Sequence, residues 1–127
     1  MNKNIVITNE APKAIGPYSQ AIVSNGFIYT SGQICINPKT NKLNNPNFSI
    51  EVEQVFANLN CILKKTGCNL DNIVKCTVYL SNLEYYEKLN RVFENMFGSN
   101  PPARSVVEVS RLPKDVNVEI DAIAVIE

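Results

Sequence analysis

The last strand-like segment of the chain, residues 118–126, limits the fold most strongly, because apolar residues occupy both of its faces. Successive side chains of a β-strand point to opposite sides of the sheet. Most positions of both alternating sets are apolar here, and the exceptions are Glu119 and Asp121. A strand of this kind is normally covered on both faces. The fold must therefore place a layer against each side of this strand.

Two amphipathic helices are predicted to form one of these layers. Residues 49–65 carry apolar side chains at helical spacing. Glu51 and Glu53 lie near the start of this segment and Lys64 and Lys65 near its end, as the helix dipole favours.

The second helix is predicted to begin at a capping box formed by residues 81–84, Ser-Asn-Leu-Glu, and to end at Gly98. Its predicted buried residues are Tyr86, Leu89, Phe93 and Met96.

Six strand patterns accompany the helices, at residues 5–7, 20–24, 27–31, 74–80, 105–109 and 117–126. Asn25-Gly26 separates the second from the third and fits a type I′ turn, which predicts a β-hairpin. Residues 37–46 are rich in Asn, Pro and Lys and predict a surface loop.

This order of elements predicts one two-layer α+β domain over residues 1–127, with a mixed sheet of about six strands and both helices on one face. One helix layer covers only one face of the sheet. A second copy of the chain is the simplest cover for the other face, so we expect a homo-oligomer.

The charge balance argues against a nucleic-acid partner or an anionic membrane surface. The 127 residues include 12 basic and 12 acidic side chains, which gives a net charge of zero. No apolar run approaches the roughly 20 residues that span a membrane. The N-terminal residues do not resemble a signal peptide. We therefore expect a cytoplasmic protein.

The four cysteines predict neither a metal site nor a disulfide framework. They form no C-x-x-C pair, and the chain has no histidine to complete a zinc site. They are expected to be small buried side chains in a reducing compartment. Cys35 lies close to the Ser31-Gly32-Gln33 turn, but a nucleophilic cysteine normally needs a base or a positive environment.

Arg104 and Glu119 are the main candidates for chemistry. Arg104 follows two prolines at the head of an apolar strand, and its planar fork could bind two oxygens of a carboxylate or phosphate. The alternative is an ion pair with a neighbouring carboxylate. Glu119 lies among apolar residues, where a carboxylate is costly unless it is paired. It is either a proton-handling group or a structural partner of Arg104 or Arg111.

Three weaker signals come from loops and from the edge of the second helix. Gly16-Pro17 forms a turn that presents Tyr18, and the small residues Ser31 and Gly32 let backbone groups approach a ligand. Each of these could equally be an ordinary loop feature. Asn90 lies at the edge of an apolar helix face, and we expect it to hydrogen-bond loop backbone.

Together these segments resemble the Rid family, the reactive intermediate deaminases also called the YjgF family, and within it the RidA subgroup of 2-iminobutanoate/2-iminopropanoate deaminases. The resemblance spans nearly the whole chain. Its most specific block runs from Pro101-Pro102-Ala103-Arg104 through Val109 and continues over residues 112–124.

The resemblance implies a chorismate-mutase-like fold assembled as a homotrimer, with three sites between subunits. It implies hydrolysis of short 2-imino acids, released by pyridoxal-phosphate dehydratases, to 2-oxo acids and ammonia without a cofactor. On this chain it assigns substrate carboxylate binding to Arg104, activation of water to Glu119 and a lid to Tyr18. It assigns the lining of the pocket to Ser31 and Gly32.

Val106 stands where many relatives carry a cysteine. The resemblance implies that the backbone carbonyl of this residue holds the imine nitrogen, so the change puts in doubt only a regulation through a thiol at that position.

Three other functions are compatible with the sequence. A non-catalytic trimer could bind small carboxylates or regulate a partner. A ribonuclease or translation inhibitor is disfavoured by the zero net charge and the lack of histidine. A chorismate mutase is suggested by the fold alone, and fold does not imply function.

Overall fold

A six-stranded mixed sheet and two helices form the structure, a computed structural model that describes residues 2–127. The helices are α1 (Phe48–Lys64) and α2 (Tyr86–Phe97). The strands are β1 (Asn4–Val6), β2 (Ala21–Ser24), β3 (Phe27–Thr30), β4 (Ile36–Asn37), β5 (Lys42–Leu43), β6 (Ile73–Leu80), β7 (Ala103–Glu108) and β8 (Val118–Val125).

The strand order is β1-β2-β3-β8-β6-β7, and only the β6–β7 pair is parallel. This arrangement confirms the predicted α+β fold. Asn25 and Gly26, with φ of 52° and 80°, connect β2 to β3, so both turn residues have the positive φ of a type I′ turn.

Residues 37–46 were expected to form only a loop, and this expectation is wrong for part of the segment. Ile36 pairs with Leu43 and Asn37 with Lys42 in the short β4–β5 hairpin. Asn41 turns the chain with a φ of 60°, a conformation that asparagine tolerates better than most residues. Polar composition hid this hairpin because its strands are only two residues long.

The start of the second helix also differs from the prediction. Asn82, not Ser81, is the capping residue, and its side-chain oxygen accepts a hydrogen bond from the Glu84 N–H at 2.8 Å. A 3₁₀ turn at Leu83–Tyr85 follows, so α2 begins only at Tyr86. The Ser81 hydroxyl donates instead to the side-chain oxygen of Asn117 at 3.1 Å.

The buried face of α2 also differs from the prediction. Tyr86, predicted to be buried, is exposed, and Met96 is only half-buried. The residues of α2 that enter the core are Leu89, Val92, Phe93 and Phe97.

The core lies between the helices and one face of the sheet. On β8 the buried residues are Val118, Ile120, Ala122 and Ala124. Phe56 of α1 contacts Phe93 and Phe97 of α2 edge to face, with ring centroids 5.4 and 5.6 Å apart. Such aromatic pairs add stabilisation beyond the area that they bury. The two helices are thereby joined into one layer over β8.

The opposite face of the sheet remains open in the isolated chain. It exposes large apolar side chains on two strands: Phe27 is 40% exposed, Tyr29 45% and Val107 43%. The alternate residues of β8, including Ile123 and Val125, are only half-buried. An apolar face of this kind is typical of a surface that binds a partner.

No helix within residues 2–127 is long and apolar enough to cross a membrane.

Candidate functional site

Four of the predicted site residues surround one cavity of about 420 Å³. Tyr18, Ser31, Gly32 and Glu119 come from three separate parts of the chain and meet there. Most of the other lining is apolar and consists of Pro12, Ile15, Ile34, Ile36 and Pro113. A mostly apolar cavity with a few polar groups is the usual form of a small-molecule site.

The Glu119 carboxylate lies directly over Gly32. A Cβ atom at position 32 would stand 2.1 Å from Oε2 of Glu119 and 2.9 Å from its Cδ. Only glycine therefore allows the carboxylate to occupy this position. The side chain is half-buried, and it accepts no hydrogen bond from any group within residues 2–127.

Burial raises the pKa of the Glu119 carboxyl above its ordinary value, and the nearby charge of Asp121 raises it further. The site thus holds a carboxylate with free acceptor positions and increased basicity. These are the properties that a group needs in order to accept a proton from water near neutral pH.

Ser31 fixes the loop that carries Tyr18. Its hydroxyl donates to the carbonyl of Ser19 at 2.6 Å, and its N–H donates to the carbonyl of Gln20 at 2.9 Å. The Tyr18 side chain remains largely exposed at the rim of the cavity, and its hydroxyl accepts a long hydrogen bond of 3.3 Å from the Ile15 N–H. Tyr18 thus lies at the entrance of the cavity.

Gln20 also anchors the loop that carries Tyr18, and the sequence analysis missed this role. Its amide is buried, accepts from the Thr8 N–H at 2.8 Å, and donates to the carbonyls of Thr8 and Pro12 at 3.1 and 2.8 Å. Because an amide offers both donors and an acceptor, one side chain secures two chain segments.

Arg104 does not enter this cavity. On β7 it lies opposite Cys76 of β6, a buried residue of the helix side. Its guanidinium donates to the Asn90 side-chain oxygen and stacks over the Phe93 ring, 4.6 Å from the centroid. Asn90 was expected to bond loop backbone, and this expectation is wrong. Asn90 orients the arginine, and the aromatic face stabilises its charge.

Arg104 and Glu119 consequently lie far apart within one chain. Tyr79, which pairs with Glu119, points to the open face, whereas Cys76, which pairs with Arg104, points to the core. Two strand spacings and three residue steps separate the two backbone positions by roughly 14 Å. A short substrate cannot contact both side chains of the same chain.

The structural alternatives for these two residues are both wrong. Arg111 forms its ion pair with Asp115, with 2.9 Å between Nε and Oδ1. Arg104 bonds the amide of Asn90, not a carboxylate. Glu119 therefore serves neither arginine as a partner within the chain.

The backbone of Val106 faces the free edge of the sheet. β7 is the last strand, and the N–H of Val109 donates inward to the carbonyl of Leu80. Peptide groups alternate direction along a strand, so those of Val107 also point inward and those of Val106 outward. The Val106 carbonyl is thus available to accept a hydrogen bond from outside the sheet.

The cysteines do not contribute to the cavity. All four thiols are free. Cys35, Cys68 and Cys76 are buried, as expected, whereas Cys61 is only half-buried. Burial, followed by the charge of Glu51, raises the pKa of Cys35 to about 11, so this residue remains a protonated thiol at neutral pH. Within residues 2–127, no group of three or more His, Cys, Asp or Glu residues could hold a metal ion.

Sequence comparison identifies the family to which this fold and cavity belong. The family model described as Endoribonuclease L-PSP, that of the RutC/Rid/YjgF proteins, matches residues 8–126. The chain belongs to this family. A RutC family protein of Pyrococcus abyssi is 46% identical over 124 residues, which cover 98% of each chain.

One further relative carries a named activity, and another has a solved structure. A human protein named 2-iminobutanoate/2-iminopropanoate deaminase is 39% identical over 97% of this chain and 90% of its own length. The crystal structure of the Rid family protein YyfA from Yersinia pestis, described as of unknown function, superimposes with a TM-score of 0.93 at 43% identity. That match covers 98% of this chain and 99% of the other.

Replacement of Gly32 tests the position of the Glu119 carboxylate. We expect Gly32→Ala to displace Oε2 by about 0.9 Å or more, because the added Cβ would otherwise lie 2.1 Å away, and real contacts of this type begin near 3.0 Å. A crystal structure of the variant measures this shift. The control is Gly16→Ala, whose Cβ would meet Tyr18 at an ordinary 3.4 Å. An unmoved carboxylate in Gly32→Ala would contradict the described packing.

Proposed function

We propose that this Rid family protein hydrolyses short 2-imino acids, such as 2-iminobutanoate and 2-iminopropanoate, to 2-oxo acids and ammonia. The observation that carries the proposal is the carboxylate of Glu119, which lies over Gly32 in a small, mostly apolar cavity and receives no hydrogen bond from residues 2–127. The name of the human relative supports the same reaction.

In the proposed reaction, Glu119 accepts a proton from a water molecule and directs the water oxygen to the imine carbon. A C–O bond forms, the C=N bond becomes single, and the nitrogen takes up a proton. The hydroxyl proton of the resulting carbinolamine then passes to its nitrogen, through Glu119 or water, the C–N bond breaks, and ammonia leaves as the C=O bond forms. General base help of this kind contributes typically 10²- to 10⁴-fold. The reaction consumes only water, so it requires no cofactor.

Arg104 is proposed to bind the substrate carboxylate. A guanidinium offers two parallel N–H groups to the two oxygens of a carboxylate. Asn90 and Phe93 already hold this side chain in one orientation, so little conformational freedom is lost on binding. The outward carbonyl of Val106, two residues further along β7, would accept a hydrogen bond from the imine N–H.

These groups are proposed to meet between subunits of a homotrimer. Because Arg104 and Glu119 lie on opposite faces of one sheet, the arginine of one chain would complete the cavity of its neighbour. The exposed apolar residues Phe27, Tyr29 and Val107 support association through the open face. Three equivalent interfaces would give three sites.

The description of the family model also names an endoribonuclease. The zero net charge of the chain argues against an RNA substrate, because affinity for nucleic acid comes largely from Lys and Arg side chains that neutralise phosphates. A trimer that binds small carboxylates without turnover would use the same cavity, so the assay below separates these functions.

Arg104 variants test the proposed reaction. A threonine dehydratase generates 2-iminobutanoate, semicarbazide traps the free imine, and the deaminase lowers the semicarbazone signal. Loss of a buried charge-assisted contact costs about 2–5 kcal/mol. We therefore expect Arg104→Ala to lower kcat/KM by roughly 30- to 4000-fold, and Arg104→Lys to recover only part of the activity, because an ammonium lacks the planar fork.

Arg91→Ala is the matched control, since it removes an exposed arginine of the same region. Arg91 lines neither the cavity at Glu119 nor a second, smaller cavity that Arg104 lines together with Asn90 and Phe93. A wild-type protein that leaves the semicarbazone signal unchanged, yet binds 2-oxobutanoate, would favour the non-catalytic alternative. Full activity of Arg104→Ala would contradict the role of the arginine.

The pH dependence tests Glu119 as the base. Only the ionised carboxylate accepts a proton, so kcat/KM falls as pH decreases through the pKa of Glu119. Asp121 raises that pKa, so we expect Asp121→Asn to move this acidic limb to lower pH while activity at neutral pH remains. In Glu119→Gln, the fall of kcat/KM at acidic pH should disappear, and most of the activity should be lost. Rates are corrected for uncatalysed hydrolysis, and an unchanged limb in Glu119→Gln would show that another group titrates.

A further inference from the structure

Glu51 is a buried carboxylate that the proposed reaction does not use. It lies in the first turn of α1, as predicted, but it is also 0% exposed. Its Oε2 accepts from the N–H groups of Asn117 and Val118 at 2.7 and 3.2 Å, and its Oε1 accepts from the Asn117 side-chain amide at 3.0 Å. A buried charge is costly without such partners, so these three hydrogen bonds are what allow the Glu51 carboxylate to be buried at this position.

The two backbone donors belong to the beginning of β8, where the sheet has a gap. β3 pairs with β8 only at Ile123–Val125. Between Val118 and Ala122, no strand residue of β3 pairs with β8. The N–H groups of β8 that point towards the β3 side there donate to three other groups in turn. The Thr30 hydroxyl accepts from Ala122 at 3.0 Å, the Gln33 carbonyl from Ile120 at 3.1 Å, and Glu51 from Val118.

Glu119 lies inside this gap. Gln33 holds the residue after it, Glu51 holds the residue before it, and Gly32 faces its carboxylate. On its other side β8 pairs with β6, where Tyr79 lies opposite Glu119 and Leu80 opposite Val118, so β6 fixes the register of the strand. The contacts on the β3 side fix the placement of the residues within that register. The last contact that fixes the strand before Glu119 on this side is the one made by Glu51.

We propose that Glu51 is a positioning residue, which substitutes for the missing strand at the start of β8 and thereby holds the Glu119 carboxylate over Gly32. The inference rests on the proposed role of Glu119 in imine hydrolysis. Glu51 itself contacts neither cavity, so its effect on the reaction passes through the backbone of Val118.

Two substitutions of Glu51 separate the effect of its side-chain length from the effect of its negative charge. In Glu51→Gln the amide oxygen can accept from both backbone N–H groups, and the Asn117 amide can turn its oxygen towards the new NH₂. In Glu51→Asp the charge remains, but the carboxylate is one methylene shorter and cannot reach β8. Gln should therefore restore function, and Asp should not.

The test measures kcat and KM of wild type, Glu51→Gln, Glu51→Asp and Glu51→Ala in the semicarbazide-coupled assay. Misplacement of a catalytic group by about 1 Å costs up to 10²-fold. We expect Glu51→Asp and Glu51→Ala to lower kcat by about 10- to 100-fold with little change in KM, because Arg104 is untouched, and Glu51→Gln to remain close to wild type. Ile62→Ala, a buried substitution about three turns further along α1, controls for loss of stability alone.

A second readout does not depend on activity. The pKa of Glu119, followed by carbon-13 NMR, should fall towards its ordinary value in Glu51→Asp as the carboxylate leaves the half-buried position, and should stay unchanged in Glu51→Gln. An inactive wild type would overturn the proposed function, and the titration would still decide the positioning role. That role is overturned if Glu51→Asp keeps wild-type kcat and Glu119 pKa, if Glu51→Gln is as damaging, or if Ile62→Ala lowers kcat equally.

Discussion

Strand β8 packs against the helices with one face and presents Glu119 with the other, so its register determines both the core and the site. The buried residues on its inner face pack against the apolar face of α1 and so contribute hydrophobic stabilisation to the core. A shift by one residue would bury Glu119 and Asp121, at a cost that the domain could not offset. The contacts that bury the inner face of β8 in the core therefore also determine that the Glu119 carboxylate points to the cavity.

The candidate site follows from the way in which the sheet ends. β7 forms one edge, where Arg104 turns back to α2 and the Val106 carbonyl points outward. Glu119 and Gly32 lie where β3 separates from β8. Each region carries half of the proposed chemistry, and a short imino acid cannot bridge them within one chain. Catalysis in this account therefore depends on association, since only a neighbouring subunit brings the arginine to the carboxylate.

Much of the fold could be predicted from the sequence because its signals are periodic or local. Helical spacing located α1, and Asn25-Gly26 located the β2–β3 hairpin. The β4–β5 hairpin and the 3₁₀ turn before α2 were missed, because both depend on very short hydrogen-bonded segments in polar sequence.

The supporting residues of the site were harder to identify than its central ones. Glu51 resembled a surface residue in a first helical turn, although it precedes Val55 by four residues and so shares the apolar face of α1. That spacing was the available signal. The position of Asn90 at the edge of an apolar helix face indicated a hydrogen bond but not its partner, because Arg104 comes from a distant strand. Contacts between distant segments depend on the tertiary structure and leave no local pattern.

Subunit complementation tests the central claim, a site shared between chains. Arg104→Ala and Glu119→Gln are each expected to be inactive alone, and the two are mixed in equal amounts, unfolded and refolded together. Random assembly pairs an intact Arg104 with an intact Glu119 at about one interface in four, so about a quarter of the wild-type activity should return. Mixtures that remain as inactive as the separate variants, beside an active wild type, would contradict the shared site.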